Sequence, residues 1–162
     1  MMPSKGSKQR IRPGDVMEIP LPDGSLGYAR VLPSPIFGFL AVRRRPGDPV
    51  PDVSDAPYAF KIWVHESGAR EGRWQVIGHG LLSDSDKETP YFIHQDALSR
   101  RVRRYKDGQI LPDAASKSDV EHLEPAAVWE VEQAEERLLD FFEERENRHL
   151  RSMRDRALQA LG

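Results

Sequence analysis

The stretch RIRPGDVMEIPLPDGSLGYARVL, residues 10–32, decides how the rest of the chain is interpreted. Residues 16–21 alternate in polarity and end between two prolines, and residues 27–32 form a second, mostly apolar run. Between them stands Pro22-Asp23-Gly24, in which proline presets φ and glycine accepts the positive φ of a tight turn. The stretch therefore predicts an antiparallel β-hairpin.

Further short strands are predicted beyond this hairpin. The runs at residues 36–43, 58–64, 74–77 and 91–94 are apolar or alternate in polarity. Residues 100–105 have the composition of a basic edge strand, closed by Asp107-Gly108, and residues 44–57 are rich in proline and aspartate, as loops are. Strands of this length and spacing favour a small, strongly bent antiparallel β-sheet or an SH3-like barrel.

The periodicity changes in the last third of the chain, where a helix is predicted to start at Glu124-Pro125. The helical stripe consists of Val128, Val131, Leu138 and Phe142. One helix over residues 125–161 would be about 55 Å long, whereas a body of roughly 110 residues is about 35 Å across. We therefore expect an α+β fold with a long C-terminal helix that either bends near Asn147 or projects at one end and packs on a partner or a second copy.

The charge balance divides the chain near residue 110. The 162 residues carry 17 basic and 13 acidic side chains through residue 110, and 7 basic and 13 acidic ones after it. The balance is therefore +4 before this point and −6 after it, which sum to the net charge of −2. We interpret residues 1–10 as a disordered basic leader, 11–112 as a β-rich domain and 113–162 as an acidic linker with a helical tail.

The composition excludes several kinds of chemistry. Without cysteine there is no disulfide, thiolate nucleophile or cysteine metal site. His65, His79, His94, His122 and His149 lack the spacing that places two imidazoles on one metal ion, and no nucleophile elbow or phosphate-binding loop occurs. We expect no catalytic residue, metal or cofactor, and a protein that acts by binding rather than as an enzyme.

The sequence carries no targeting signal that we can identify. Its first ten residues are polar and basic, unlike a secretory signal peptide. No apolar run approaches the ~20 residues of a membrane span. We therefore expect a soluble cytoplasmic protein with no membrane partner.

Two kinds of charged segment indicate binding partners. Arg43-Arg44-Arg45 forms one basic cluster, and Arg100-Arg101 with Arg103-Arg104 forms another beside Tyr105. Such clusters suit a nucleic-acid backbone with one stacked base, or they only keep an edge strand solvated. Residues 113–146 hold twelve acidic and three basic side chains, which is typical of a solvated helical face or of a surface that steers a basic partner.

Four segments in order resemble the immunity protein 26 family of bacterial polymorphic toxin systems. The first is the quoted stretch at residues 10–32, and the others are FKIWV at 60–64, RWQVIGHGLL at 73–82 and TPYFIHQD at 89–96. The resemblance covers about residues 11–108. It implies a cytoplasmic protein that binds and neutralises a cognate toxin domain, and it brings no catalytic residue with it.

The resemblance also assigns roles to its recurring positions. Gly14, Gly24 and Gly27 supply turn conformations. The aromatic residues Tyr28, Trp63 and Trp74 supply either core area or a shallow aromatic groove. The leader and the tail beyond residue 117 depart from the compact family pattern, which leaves open whether the toxin binds the β-rich domain or the helix.

The acidic segment offers the candidate binding residues. If the toxin is a nuclease, its substrate site is positive, and the helical face of Glu132, Glu136, Asp140 and Glu143 is a suitable complement. The other interpretation is an SH3-like nucleic-acid-binding module, which the arginine clusters favour and the acidic tail opposes. The exposed length of the C-terminal helix would also allow a homodimer to form through that helix.

Overall fold

A computed structural model describes residues 9–33 and 36–162 of the chain, and it confirms the predicted α+β class. Residues 1–8 of the predicted leader lie outside the described residues. Gln9 is described, and its side-chain amide donates to the Trp74 carbonyl at 2.8 Å and accepts from the Val76 amide at 2.9 Å. The functional division at residues 10 and 112 stays a prediction.

The described residues contain the following elements in chain order. The strands are β1 Asp15–Pro20, β2 Leu26–Leu32, β3 Ile36–Leu40, β4 Tyr58–Val64, β5 Gln75–His79, β6 Phe92–Gln95, β7 Val102–Lys106, β8 Gln109–Ala114, β9 Glu124–Pro125 and β10 Val128–Trp129. The helices are α1 Glu66–Gly68, α2 Asp84–Lys87, α3 Lys117–His122, α4 Val131–Phe142 and α5 Arg148–Leu161, and a π-helix spans Ala69–Arg73.

These elements form two compact units. The first unit comprises residues 1–87 and 128–145, and the second comprises residues 88–127 and 146–162. The first contains a six-stranded sheet in the order β10-β4-β3-β2-β1-β5. The second contains a four-stranded sheet in the order β8-β7-β6-β9.

The predicted hairpin is present and begins the larger sheet. β1 and β2 are antiparallel, with Val16 opposite Arg30 and Pro20 opposite Leu26. Gly24 in the connecting turn has φ of +87°, as the turn chemistry required. β3 and β4 continue the antiparallel order, and the short β10 joins β4 in parallel.

The SH3-like barrel, one of the two predicted architectures, is not found among the described residues. Both sheets have a linear strand order, so neither closes on itself. Residues 100–105 are also not an edge strand, because β7 lies between β6 and β8. The tight turn at Asp107 and Gly108, with φ of +51° and +78°, returns the chain as β8. β8 carries Pro112 at the sheet edge, where a missing amide costs no ladder hydrogen bond.

The prediction of one helix from Pro125 to Leu161 is wrong. Glu124–Pro125 forms β9, which pairs in parallel with β6, and α4 begins only after Glu130. α4 ends before Glu144, which has φ of +55°. The interruption near Asn147 is confirmed: the Asn147 carboxamide caps α5 by accepting from the amides of His149 and Leu150 at 3.1 and 3.0 Å.

An aromatic cluster around β3 forms part of the core of the first unit. Phe37 and Phe39 each contact Trp74 edge to face at 5.7 Å, and Phe39 stacks on Phe60 at 4.8 Å. Leu138 of α4 lies against Gly27, where a Cβ atom would stand 2.5 Å from the leucine Cδ2. The absence of a side chain at Gly27 therefore lets α4 approach the sheet closely.

We expect Gly14→Ala to destabilise the protein far more than Gly24→Ala. Both glycines have positive φ, which costs an alanine ~1 kcal/mol. A Cβ atom at Gly14 would also stand 2.4 Å from the Gly80 carbonyl oxygen, whereas one at Gly24 meets nothing within 4 Å. The overlap should add roughly 1–3 kcal/mol to the loss in free energy of unfolding. Urea titrations of the two variants measure this difference, and equal losses would contradict it.

Candidate interaction surfaces

The four predicted acidic residues occupy different environments on and beside α4. Glu132 is exposed, Glu136 is half-buried and Glu143 is exposed one residue after the helix ends. The Asp140 side chain is only 13% exposed, because it lies on the buried side of the helix. The surface that remains available to a partner therefore consists of Glu132, Glu136 and Glu143, which we call the acidic surface.

Arginine side chains form ion pairs with Glu132, Glu143 and Asp140. Arg73 lies 3.4 Å from Glu132, and Arg43 lies 3.0 Å from Glu143. Arg145 lies 3.3 Å from Asp140. Because such exposed pairs contribute little to stability, their main effect here is to fix the carboxylates in position and to reduce the local negative charge.

A buried acid beneath the acidic surface was missed in the sequence. Glu135 is fully buried, and both its carboxylate oxygens accept from the Arg73 Nε at 2.7 and 2.9 Å. Burial raises the pKa of the Glu135 carboxyl, and the Arg73 hydrogen bond opposes that rise. In the sequence, Glu135 stands beside Glu132 and Glu136 and is therefore interpreted as one more solvated acid. The helical periodicity of α4 was the signal that could have distinguished it from them.

A buried cation attaches α4 to the sheet. The Arg137 guanidinium lies 4.1 Å from the ring centre of Phe60 on β4 and 5.1 Å from that of Trp129 on β10. Arg137 is 7% exposed and Trp129 is 2% exposed. In such a desolvated place, a cation–π contact contributes ~2 kcal/mol or more. The acidic surface is therefore carried by a rigidly seated helix.

The aromatic residues of the predicted groove are mostly in the core. Tyr28 and Trp74 have no exposed surface, so they supply core area, and Trp63 is half-buried. The Tyr28 hydroxyl donates to Glu18 at 3.1 Å and accepts from the Arg44 Nε at 2.8 Å. Burial is the main cause of the raised pKa of this phenol.

The two basic clusters differ in how their charges are used. In the first, Arg43 pairs with Asp23 and Glu143, and Arg44 pairs with Glu18 at 2.8 Å. Ser25 donates to the Asp23 carboxylate and is the largest cause of its pKa of about 2. In the second cluster, Arg104 lies 5.4 Å from the ring centre of the half-exposed Tyr91, with Lys106 at 4.6 Å on the same ring.

The described part of the chain holds no group of three or more histidine or acidic side chains placed to bind one metal ion. Its histidines stand apart, and His79 pairs with the buried Asp15 at 2.8 Å. Among the described helices, none is both long and apolar enough to cross a bilayer.

Comparison with known proteins identifies one family. The family model of immunity protein 26 matches residues 12–104, which are 93 of the 162 residues in the chain. This range contains the β1–β2 hairpin, β3 to β6, Trp63 and Trp74. No curated protein and no solved structure matches the chain.

Removing the Arg73 side chain should destabilise the protein in a pH-dependent way. Arg73→Ala leaves the buried Glu135 carboxylate without its partner, at a cost of roughly 2 kcal/mol near neutral pH. The folded-state pKa of Glu135 then rises further above its unfolded value. An acid with a raised folded pKa is destabilising when ionised, so the loss should shrink as the pH falls through the folded pKa.

Unfolding in urea at about pH 7.5 and about pH 5 measures this linkage. Arg151→Ala is the matched control, because its partners Glu146 and Asp155 are 66% and 54% exposed. That variant should lose less than ~0.5 kcal/mol at both pH values. A loss for Arg73→Ala that does not change with pH would show that Glu135 stays ionised without Arg73.

Proposed function

We propose that this chain, which belongs to the immunity protein 26 family, binds and neutralises a cognate toxin domain in the cytoplasm without catalysing a reaction. The family match supports the immunity role, and the geometry of α4 supports a way to carry it out. The proposal needs a surface that is rigid, charged and accessible. The acidic surface of Glu132, Glu136 and Glu143 is charged and accessible, and its helix is anchored to the sheet through Arg137.

The rigid seating of the acidic surface is the observation that carries this proposal. The Arg137 guanidinium of α4 lies against the rings of Phe60 and Trp129, and Arg73 links Glu132 to the buried Glu135. A surface whose side chains are already ordered loses less entropy when a partner binds. This preorganisation favours tight association over loose electrostatic attraction.

A toxin that acts on nucleic acid fits this surface best. Its substrate site must be positive to hold phosphates, and complementary potentials speed the encounter of two proteins. We therefore propose that the acidic surface faces a basic nuclease site. Asp140, the fourth acid predicted in the sequence, supports this surface through its ion pair with Arg145.

The direct test is calorimetric binding of the full chain to the C-terminal domain of the protein encoded immediately upstream. Immunity predicts a dissociation constant in the nanomolar range or below, about −12 kcal/mol or stronger. Co-expression of the chain should also restore growth to cells that make the toxin domain. The absence of both effects would remove the immunity function for this pair.

Reversing the acidic surface should slow association with the toxin. We expect the triple variant Glu132→Lys, Glu136→Lys and Glu143→Lys to reduce the association rate at low salt by about tenfold or more. Asp140 is left in place because its replacement would disturb the fold. Stopped-flow kinetics at two salt concentrations measure the effect.

The matched control reverses three exposed acids elsewhere, Glu88, Asp113 and Glu121, and produces the same change in net charge. This control should change the association rate by less than about threefold. Equal slowing in both triple variants would assign the effect to net charge, and no slowing in either would remove the acidic surface from the interface. Thermal unfolding checks that both variants are folded.

Nucleic-acid binding is the second candidate function. It is supported by the half-exposed Tyr91 beside Arg104 and Lys106, and by the exposed Arg100 and Arg101. If it holds, affinity for a labelled single-stranded oligonucleotide should fall steeply with salt, with a slope set by the number of phosphates neutralised. A flat or absent salt response would remove this alternative.

A further inference from the structure

A groove of about 540 Å³ lies entirely within the second unit. It is lined by the end of β6 and the loop after it, by α3, by residues 125–127 and by α5. Its apolar lining includes Ile93, Val120, Leu123 and Ala157, which belong to the core of this unit. The volume lies within the ~300–1,000 Å³ typical of ligand sites, which is large enough for an anchoring side chain and its neighbours.

Three arginines stand around this apolar lining. Arg100 and Arg156 are exposed, and neither makes an ion pair with a residue that the structure describes. Arg154 is half-buried and donates to the Leu123 carbonyl at 3.3 Å. The groove therefore combines an apolar lining with a positive rim.

The one acid that lines the groove is already engaged. The Asp96 carboxylate accepts from the amides of Leu98 and Ser99 at 2.9 and 2.7 Å. The Ser99 amide is the largest cause of the lowered pKa of this carboxyl. Asp96 thus shapes the loop after β6, and no ion pair joins its carboxylate to Arg100 or Arg156 among the described residues.

Several arginines away from the groove have carboxylate partners. Arg43, Arg44 and Arg73 each have a carboxylate partner within the first unit. At the groove, by contrast, the carboxylates that would complement Arg100 and Arg156 are not supplied by the described residues. Leu98, in the loop between the lining residues Ala97 and Arg100, is also 97% exposed. Apolar and arginine side chains together at an exposed site are typical of a binding interface.

We infer that this groove receives a segment of the partner protein that carries carboxylates on either side of an apolar anchor. The anchor occupies the apolar lining, and the carboxylates pair with Arg100 and Arg156. This inference rests on the proposed function, because the partner is the toxin domain. It adds a second contact, of opposite charge, to the one proposed for the acidic surface.

The test compares three variants of the full chain for calorimetric binding to the same toxin domain. The double variant Arg100→Glu and Arg156→Glu should weaken affinity at least about tenfold, because two attractive pairs become repulsive. Ala127→Trp, which fills the groove without changing its charge, should weaken affinity to a similar extent. The control Lys87→Glu and Lys117→Glu makes the same charge change at exposed positions outside the groove and should change affinity less than about threefold.

Each outcome decides the inference. If both groove variants bind the toxin domain as tightly as the wild type does, the groove contact is overturned and the immunity function stands. No binding by the wild type would remove the immunity function and the toxin segment with it. Loss of oligonucleotide binding in the double variant, with toxin affinity unchanged, would assign the groove to nucleic acid and overturn the inference. Thermal unfolding of each variant separates loss of binding from loss of fold.

Discussion

The contact of Arg137 with Phe60 and Trp129 links three elements of the first unit. Trp129 lies on β10, which extends the larger sheet from a point far along the chain, and Arg137 lies on α4, which covers that sheet. A guanidinium between two rings keeps its charge while most of its water is removed. In addition to the backbone pairing of β10 with β4, the Arg137 side chain links β10 and α4 to β4 and helps to position the acidic surface.

Charge is distributed differently in the two units, and this difference bears on function. In the first unit, Arg43, Arg44 and Arg73 pair with carboxylates, one of which is the fully buried Glu135. In the second unit, exposed arginines stand beside an apolar groove. A binding protein of the immunity kind needs both a firm scaffold and charged surface groups that a partner can reach.

The parts of the fold that local chemistry specifies were predicted well. The β1–β2 hairpin, the approximate positions of β3 to β7 and the interruption at Asn147 follow from alternation, turn residues and a helix cap. The failures came where a pattern has two meanings. Glu124-Pro125 has the composition of a helix start, yet it pairs as β9, because two residues of backbone pairing leave almost no periodicity to detect.

The sequence by itself determined the α+β class, the family, the hairpin and the position where the terminal helix is interrupted, because these depend on residues close together in the chain. Only the tertiary structure decided which charged side chains are exposed. Asp140 and Glu135 share a charged segment with Glu132, yet the packing of α4 buries the first two and leaves the third exposed. The groove beside Arg100 and Arg156 likewise joins residues about 60 positions apart, a proximity that is created by folding and that local patterns do not encode.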